Sequence, residues 1–141
     1  MKFTKMQGAG NDFIVLDNRS GEISESDYPS LAAGLCRRRL SIGADGLMIV
    51  LPAQSIGDYA MRFYNSDGSL GEMCGNGARC MARYGHDHGI AGDIQRIETT
   101  AGIVVGQRIE EDLYCVRLND PTAAETEVGI PWDGQILSVS Y

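Results

Sequence analysis

The sequence predicts an α+β fold in which β-strands outnumber helices. Runs of β-branched and aromatic residues recur along the chain and end at turns rich in glycine, asparagine or aspartate, which is the pattern of short strands joined by hairpins. One helical segment between these runs carries an apolar face at the spacing of a single helix side. The residues on that face are Ala78, Met81, Ala82 and Gly85. Because most of them are small, a sheet can surround this helix closely.

The chain begins with a predicted β-hairpin. Residues 2–8 alternate polar and apolar side chains, and residues 13–16 form a second run of β-favouring residues. The segment between them contains Gly8, Gly10 and Asn11, which suit the positive φ angles of a tight hairpin turn. The Gly8-x-Gly10 pair does not indicate a dinucleotide-binding loop, because a strand rather than a helix follows it.

The next predicted elements are a helix and two paired strands. Asp27 is expected to cap a helix that has Pro29 in its first turn and runs to about Arg39. Residues 47–51 form an almost uninterrupted apolar run, which indicates a strand buried on both faces. Residues 59–64 alternate in polarity and are expected to pair with that strand.

The second half of the chain predicts a helix followed by three strands. The helix covers residues 78–85, and the strands cover residues 94–99, 103–108 and 113–118. The remainder is less regular and ends in an apolar, strand-like run at residues 136–141. We therefore expect a domain over residues 1–118 and, over residues 119–141, a connection toward the absent part of a longer protein.

Composition and charge exclude several classes of function. The 141 residues fit one domain, with 43% hydrophobic and 22% charged residues. A net charge of −7 with only two lysines argues against nucleic-acid binding, which needs a basic surface; the run Arg37-Arg38-Arg39 is interpreted as a solvated helix face. No apolar run approaches the roughly 18 residues of a membrane span, and the N-terminal residues contain no run typical of a signal-peptide h-region. We expect a soluble, cytoplasmic protein that binds neither nucleic acid nor membrane.

Four cysteines and two histidines limit the possible thiol and metal chemistry. The cysteines are Cys36, Cys74, Cys80 and Cys115. They are too few and too scattered for a disulfide framework, and none is spaced as a zinc ligand pair. Cys36 and Cys80 are expected to be buried structural residues. His86 and His88 are expected to cap the helix end, over ~15 Å along the helix from Cys74 and too far away to activate it.

Cys74 is the candidate reactive thiol. It comes just before the predicted helix, and a helix N-terminus stabilises a thiolate through its free N–H groups and its dipole. Gly75 and Gly77 allow the backbone N–H groups to approach a carboxylate or phosphate closely. This arrangement suits proton transfer at the α-carbon of an amino acid whose carboxylate is held by the amides. The residues alone leave open that Cys74 is a small side chain packed beneath a turn.

Four blocks of sequence resemble the diaminopimelate epimerase family in their order and spacing. The blocks are Lys5-Met6-x-Gly8-x-Gly10-Asn11-Asp12-Phe13, Gly43-Ala44-Asp45-Gly46, Asn65-Ser66-Asp67-Gly68-Ser69 and Met73-Cys74-Gly75-Asn76-Gly77-Ala78-Arg79-Cys80. They span residues 5–80, and the last block is highly specific. The resemblance implies an α+β fold in which a curved, mostly antiparallel sheet wraps around a central helix, as one of two similar halves.

The resemblance also implies roles for individual residues in a cofactor-independent epimerase. Cys74 is the proton-transferring cysteine of this half, and a second cysteine comes from the other half. Gly75 and Asn76 hold the substrate α-carboxylate through their backbone amides. Asn11 and Asn65 match residues that bind the substrate.

The implied reaction converts LL-2,6-diaminopimelate to meso-diaminopimelate, for lysine and cell-wall precursors, without cofactor or metal. Gly46 stands where some family members have a glutamine that contacts substrate, so that contact is not expected here. The second-half blocks of the family, including a second Cys-Gly-Ser/Thr-Gly, do not occur in these residues. Because inversion needs an acid and a base on opposite faces of the α-carbon, we expect the 141-residue piece alone to be inactive.

Two alternatives remain open at the level of sequence. One is a related cofactor-independent racemase of another amino acid, and the other is a non-catalytic binding domain of the same fold. Pyridoxal chemistry is disfavoured because only Lys2 and Lys5 are available as Schiff-base lysines and both lie on the first strand. The expected partners are a small amino-acid substrate and the second half of the same enzyme, and the resemblance leaves homodimer formation open.

Overall fold

In the part of the chain that the structure describes, eight strands form one mixed sheet, two helices lie against it, and two further strands form a separate hairpin. The computed structural model describes residues 1–118 and 128–139. The strands of the large sheet are β1 (Thr4–Gly8), β2 (Asn11–Asp17), β3 (Gly46–Leu51), β4 (Tyr59–Asn65), β5 (Leu70–Gly71), β6 (Ile94–Thr99), β7 (Gly102–Arg108) and β8 (Tyr114–Arg117). The helices are α1 (Tyr28–Leu35), preceded by a 3-10 turn at Glu25–Asp27, and α2 (Gly75–Asp87). The separate hairpin consists of β9 (Val128–Trp132) and β10 (Gln135–Val139).

The large sheet is mostly antiparallel, as predicted. Its order is β1-β2-β3-β4-β6-β7-β8, and the short β5 pairs with β4 beside that path. Only the β2–β3 and β4–β6 pairs are parallel among these strands. The α+β fold class predicted from the sequence is confirmed.

Strands β2 and β3 are buried on both faces because each face packs against one of the two helices. Successive side chains of a strand point to opposite faces. The side chains in the α2 cluster are Phe13, Val15, Met48 and Val50. Those in the α1 cluster are Ile14, Leu16, Leu47 and Ile49. The predicted burial of residues 47–51 on both faces is therefore confirmed.

Small residues allow α2 to approach the sheet closely. A Cβ added at Gly106 of β7 would lie 2.8 Å from the Cβ of Ala82. A Cβ added at Gly8 of β1 would lie 2.9 Å from the carbonyl oxygen of Asn76. Both distances are shorter than an ordinary carbon contact of about 3.5–4.0 Å, so these strands have no room for larger residues. The predicted apolar face of α2 is buried throughout.

Two side chains of the sheet bond to carbonyl groups in the middle of α2. The Tyr59 hydroxyl lies 2.8 Å from the Met81 carbonyl oxygen and 2.9 Å from Gln95 Oε1. Gln95 Nε2 donates to the Ala82 carbonyl oxygen at 2.7 Å. Burial raises the pKa of Tyr59, so this hydroxyl keeps its proton. A buried polar group without a partner costs about 1–3 kcal/mol, so these bonds fix the depth and rotation of α2.

Helix α1 ends at Leu35, so the prediction that it continues to about Arg39 is wrong. The N–H of Gly43 donates to the Leu35 carbonyl oxygen at 2.9 Å, and the following loop thereby replaces the next helical turn. Arg39 itself has a φ of +67°, which lies in the left-handed region and outside a helix. Asp27 occupies the N-cap position, but its side chain makes no capping hydrogen bond.

The remaining predicted elements are present. Gly8 pairs with Asn11 at the end of the β1–β2 hairpin, and the two turn residues Ala9 and Gly10 both have positive φ, as a type I′ turn requires. Within the described ranges, no helix is long and apolar enough to cross a membrane. The boundary predicted after residue 118 stays a prediction, because residues 119–127 lie outside the described part. Residues 140 and 141 of the predicted terminal strand also lie outside it.

The glycines of the two helices give a matched test of the close packing around α2. A Cβ at Gly85 would lie 2.6 Å from Gln95 Oε1 and 2.8 Å from the Tyr59 hydroxyl, whereas a Cβ at Gly34 of α1 would meet nothing within 4 Å. We expect Gly85→Ala to lower the free energy of unfolding by about 1–3 kcal/mol through overpacking. We expect Gly34→Ala to raise it by about 0.5–1 kcal/mol through helix propensity. Urea unfolding measures both, and equal shifts would contradict the described packing.

Glu98 of β6 holds the loop between β3 and β4. Its carboxylate accepts hydrogen bonds at 2.7–2.9 Å from the N–H groups of Gln54, Ser55 and Gly57 and from the Ser55 hydroxyl. These bonds, led by the Gln54 N–H, lower the pKa of Glu98 from 4.5 to about 2. The ionised carboxylate therefore stabilises the folded chain.

This anchor predicts a specific acid sensitivity. Because the folded pKa is depressed, the contribution of Glu98 is complete above pH 4.5 and is lost as the pH falls toward about 2. Glu98→Gln should lower the free energy of unfolding at neutral pH and flatten its dependence on pH in that interval. Urea unfolding at a series of pH values measures this. Glu111→Gln, on the exposed turn between β7 and β8, is the control, and an equal effect of both substitutions would refute the anchor.

Candidate active site

Cys74 lies at the N-terminus of α2, as the sequence predicts. It is the N-cap residue, with φ −135° and ψ 114°, and its carbonyl oxygen accepts the helical bond from Ala78 N–H at 2.7 Å. Its sulfur accepts the Gly77 N–H at an N–S distance of 3.5 Å. The side chain is partly exposed. The sulfur thus occupies the place of a capping oxygen and remains open to solvent.

Asn11 and Asn76 meet beside this sulfur. The Cys74 Sγ lies 3.7 Å from Asn11 Oδ1, and Asn76 Nδ2 donates to the same oxygen at 3.4 Å. Asn11 begins β2 at the hairpin turn, and Asn76 lies in the first turn of α2. The structure therefore brings together three of the predicted site side chains from positions 63 and 65 residues apart.

The glycines around Cys74 have two different structural roles. A Cβ at Gly77 would overlap the terminal methyl of Met48, which packs beneath the start of α2. A Cβ at Gly75 would meet only Leu118 Cδ2, at 3.4 Å. Among the described residues, no acceptor is bonded to the N–H groups of Gly75 and Asn76. These two N–H groups of the first helical turn are therefore available to an anion.

Asn65 lies apart from the cluster of Cys74, Asn11 and Asn76. It ends β4, and its Nδ2 donates to the Ser69 hydroxyl at 2.9 Å within the following turn. No hydrogen bond between described residues joins it to Cys74 or Asn11. The sheet register aligns Asn65 with Gly46, and Gly46 with Phe13, so Asn65 lies two strand spacings, about 10 Å, from the start of β2.

Gly46 has no room for a side chain in this chain. A Cβ there would lie 2.5 Å from Phe63 Cε2 and 2.8 Å from the Tyr64 carbonyl oxygen. Phe63 itself packs edge-on against Phe13, with ring centroids 6.1 Å apart. A glutamine at position 46 would need the Phe63 ring and the β4 backbone to shift. The position of the Phe63 ring therefore depends on a glycine at position 46.

A charged cluster next to Asn11 was not predicted. Arg38 donates to Asp12 at 2.5 Å and to Asp45 at 2.7 Å, and Lys5 lies 2.8 Å from Asp12. Asp45 Oδ2 accepts Asn11 Nδ2 at 2.7 Å. Arg38 is exposed, as the interpretation of the arginine run as a solvated face predicts, but it lies beyond the end of α1, so the helical part of that interpretation is wrong. The only sequence signal was that opposite charges occur in the hairpin and in the loop before β3.

These contacts shift the ionisation of the cluster. The Arg38 guanidinium holds the pKa of Asp12 well below its usual range. The hydrogen bond from Asn11 lowers the pKa of Asp45, with further contributions from the Asp12 N–H and Arg38. Both carboxylates therefore remain ionised at neutral pH. The side chain of Asn11 therefore lies next to the negative charge of the Asp45 carboxylate.

The other cysteines and the histidines do not join the site. Cys36 and Cys80 are 3% and 4% exposed, as predicted. Burial raises the pKa of the Cys36 thiol, and it raises the pKa of the Cys80 thiol to about 11. His88 caps the far end of α2, with its Nδ1 2.9 Å from the Tyr84 carbonyl oxygen. Among the described residues, no cluster of three histidine, cysteine or acidic side chains is placed to hold a metal ion.

A surface cavity of about 940 Å³ lies at the opposite end of α2 from Cys74. It is lined by the first four residues, the end of β2 with its following loop, and Tyr84 and His88. None of the predicted site residues lines it. Because the thirteen residues of α2 rise about 20 Å, this cavity is separate from the Cys74 cluster.

The sequence matches one family over most of its length. The family model for diaminopimelate epimerase matches residues 3–120. The chain belongs to the diaminopimelate epimerase family. It is 40% identical over 139 residues to the diaminopimelate epimerase of Pelotomaculum thermopropionicum, covering 95% of this chain and 49% of that protein. It is 42% identical over 136 residues to that of Halothermothrix orenii, with 92% and 47% covered.

The diaminopimelate epimerase relatives are longer than this chain, which spans about half their length. Solved structures share its fold at lower identity. A probable proline racemase from Agrobacterium radiobacter K84 gives a TM-score of 0.72 at 18% identity, over 98% of this chain and 47% of that one. A Bacillus anthracis protein of the PhzF phenazine biosynthesis family gives 0.65 at 20% identity, over 91% and 42%. The predicted fold of one half is thereby confirmed.

The four thiols should differ in reactivity according to their environments. We expect iodoacetamide at neutral pH to modify Cys74 and Cys115 before Cys36 and Cys80, because the latter two are buried with raised pKa values. Mass spectrometry of peptides at successive times measures each site. In urea the differences should disappear, which serves as the control. Modification of Cys80 as fast as Cys74 in the folded chain would contradict the described burial.

Proposed function

We propose that this chain is one half of a cofactor-independent epimerase that converts LL-2,6-diaminopimelate to meso-diaminopimelate. The observation that supports this most is the position of the Cys74 sulfur. It lies at a helix N-terminus, partly exposed, beside two asparagine side chains and two N–H groups that have no bonded acceptor among the described residues. Membership of the diaminopimelate epimerase family supports the choice of reaction and substrate.

In this proposal the backbone binds the carboxylate of the reacting centre. The N–H groups of Gly75 and Asn76 point out of the first turn of α2 and carry the positive end of the helix dipole. They hold the α-carboxylate and stabilise the negative charge that develops on it when the α-hydrogen leaves. No cofactor is needed, because this charge is delocalised into the bound carboxylate.

Cys74 then carries the proton on one face of the α-carbon. As a thiolate it removes the α-hydrogen, and as a thiol it returns a proton in the reverse direction. Inversion requires a second acid/base group on the opposite face, which we assign to a cysteine of a second, similar half. The buried positions of Cys36 and Cys80 make neither of them a candidate for this role.

Asn11, Asn65 and Asn76 bind the substrate in this proposal. Asn11 and Asn76 lie within contact of each other next to Cys74, so they border the reacting centre. Asn65 lies about 10 Å from the start of β2 across two strands, so it borders a more distant part of the ligand. A long substrate with polar groups at both ends suits this spacing.

The proposal is tested with a chimera and with the chain alone. Residues 1–118 replace the matching half of the Pelotomaculum thermopropionicum relative, and inversion of LL-diaminopimelate and uptake of deuterium from heavy water are followed by chromatography and mass spectrometry. We expect inversion by the chimera and none by the 141-residue chain alone. In the chimera, Cys74→Ala should reduce inversion at least about 100-fold, the scale of a lost acid/base group.

The control is Cys115→Ala in the same chimera, which replaces an exposed thiol of β8 and should leave inversion unchanged. An unchanged rate with Cys74→Ala would refute the role of this residue. Inversion by the chain alone would refute the need for a second half.

A further inference from the structure

Four side chains form a continuous line of hydrogen bonds across the Cys74 cluster. Asn11 Nδ2 donates to Asp45 Oδ2 at 2.7 Å, and Asn76 Nδ2 donates to Asn11 Oδ1 at 3.4 Å. Arg79 in turn donates from its guanidinium to Asn76 Oδ1. Two neutral amides therefore connect a carboxylate at one end with a guanidinium at the other.

The charges at the two ends determine which way both amides point. An ionised carboxylate only accepts hydrogen bonds and a guanidinium only donates them, so Asp45 requires the NH2 end of Asn11 and Arg79 requires the oxygen of Asn76. The inner pair is then complementary, with an NH2 group facing an oxygen. Reversing the Asn11 amide alone would set its oxygen against the Asp45 carboxylate and its NH2 group against that of Asn76. Reversing the Asn76 amide alone would set its NH2 group against Arg79 and its oxygen against that of Asn11.

The acidic end of the line is itself held in place. Asp45 Oδ1 accepts Arg38 at 2.7 Å, and its Oδ2 also accepts the Asp12 N–H at 3.0 Å. The side chain is 42% exposed, so its charge alone would be screened by water. Asp45 therefore orients Asn11 through its short hydrogen bonds to Asn11 and to the Asp12 N–H, and its charge has little effect at longer range.

We propose that Asp45 and Arg79 are positioning residues that align the amides of Asn11 and Asn76, so that the acceptor Oδ1 of Asn11 faces the Cys74 sulfur. This inference rests on the proposed function for its catalytic meaning, because Cys74, Asn11 and Asn76 are the residues assigned to proton transfer and substrate binding. The thiol of Cys74 can donate to Asn11 Oδ1, 3.7 Å away. A reversed Asn11 would instead present N–H donors to the sulfur and favour the thiolate.

The line can be tested without turnover by following the amides farthest from each substitution. Asp45→Ala removes the acceptor of Asn11, and Arg79→Met removes the donor to Asn76. We expect Asp45→Ala to shift the side-chain 15N–1H resonances of Asn76, which is joined to Asp45 only through Asn11. We expect Arg79→Met to shift those of Asn11, which is joined to Arg79 only through Asn76.

The same variants should alter the reactivity of Cys74. We expect iodoacetamide at fixed neutral pH to modify Cys74 about five-fold faster in both variants, the factor that corresponds to one hydrogen bond of about 1 kcal/mol. Cys115 provides the internal reference within each sample. Arg79→Lys keeps a cationic donor and should restore both the Asn11 resonances and the original rate.

Arg83→Met is the matched control for Arg79→Met. Arg83 lies one turn further along α2 and pairs with Asp87 and Asp112 instead of the asparagines. It should leave the resonances of Asn11 and Asn76 and the Cys74 rate unchanged. Backbone amide spectra establish that each variant is folded, and Arg79→Met alone decides the matter if Asp45→Ala does not fold.

Two outcomes would overturn the inference. One is that the side-chain resonances of Asn76 in Asp45→Ala and of Asn11 in Arg79→Met do not shift although the variants are folded. The other is that Arg83→Met shifts the asparagine resonances as much as Arg79→Met does. Since neither readout needs catalysis, the result is independent of the chimera experiment. If the asparagine resonances shift as expected but the chimera does not invert the substrate, the alignment by Asp45 and Arg79 stands and the proposed function fails. If the chimera inverts the substrate but the resonances do not shift, only the alignment fails.

Discussion

The close contact between α2 and the surrounding sheet is the constraint on which the rest of the structure depends. Ala82 lies against Gly106, and the first turn of the helix lies against Gly8, at distances that leave no space for another carbon. An interior packed this tightly transmits displacements instead of absorbing them. The N-terminus of α2, with Cys74, is therefore held at a fixed position relative to the strands that carry Asn11.

Polar bonds complement this steric constraint. Tyr59 and Gln95 bond to two successive carbonyl groups in the middle of α2, and apolar contacts alone would not specify the rotation of the helix as sharply. Rotation matters because it decides the direction of the N–H groups in the first turn. The structural network in the middle of the helix and the candidate active site at its end are thus parts of one arrangement.

Local patterns were sufficient to predict most of the elements and the position of Cys74. The apolar face of α2 follows from its spacing, the hairpin follows from Gly8, Gly10 and Asn11, and the glycines after Cys74 indicate a helix start that a ligand can approach. Each of these signals lies within a few consecutive residues. The resemblance to the family implied that Asn11 binds substrate, but the contact of its amide with the Cys74 sulfur was not predicted.

The features that sequence reasoning missed depend on distant contacts. Helix α1 ends at Leu35 because the N–H of Gly43 takes its carbonyl oxygen, and nothing within the helix sequence signals this. Arg38 bonds to Asp12 and Asp45 because the fold brings the hairpin and the loop together, whereas three consecutive arginines read alone are typical of a solvated surface. Asn65 stands apart from Cys74 in the sheet register, and the substrate-binding role that its sequence block implies stays a prediction.

The order of the strands also has a consequence for how the chain folds during synthesis. Helix α2 contacts strands that precede it, β1 and β2, and strands that follow it, β6, β7 and β8. A nascent chain that has reached the end of α2 therefore still lacks β6, β7 and β8, the later strands that cover this segment in the folded protein. Non-local pairing of this kind slows folding and exposes apolar surface in the meantime. Ala78, Ala82 and Gly85 add little to that uncovered surface because their side chains are small, whereas Met81 and Tyr84 account for most of it.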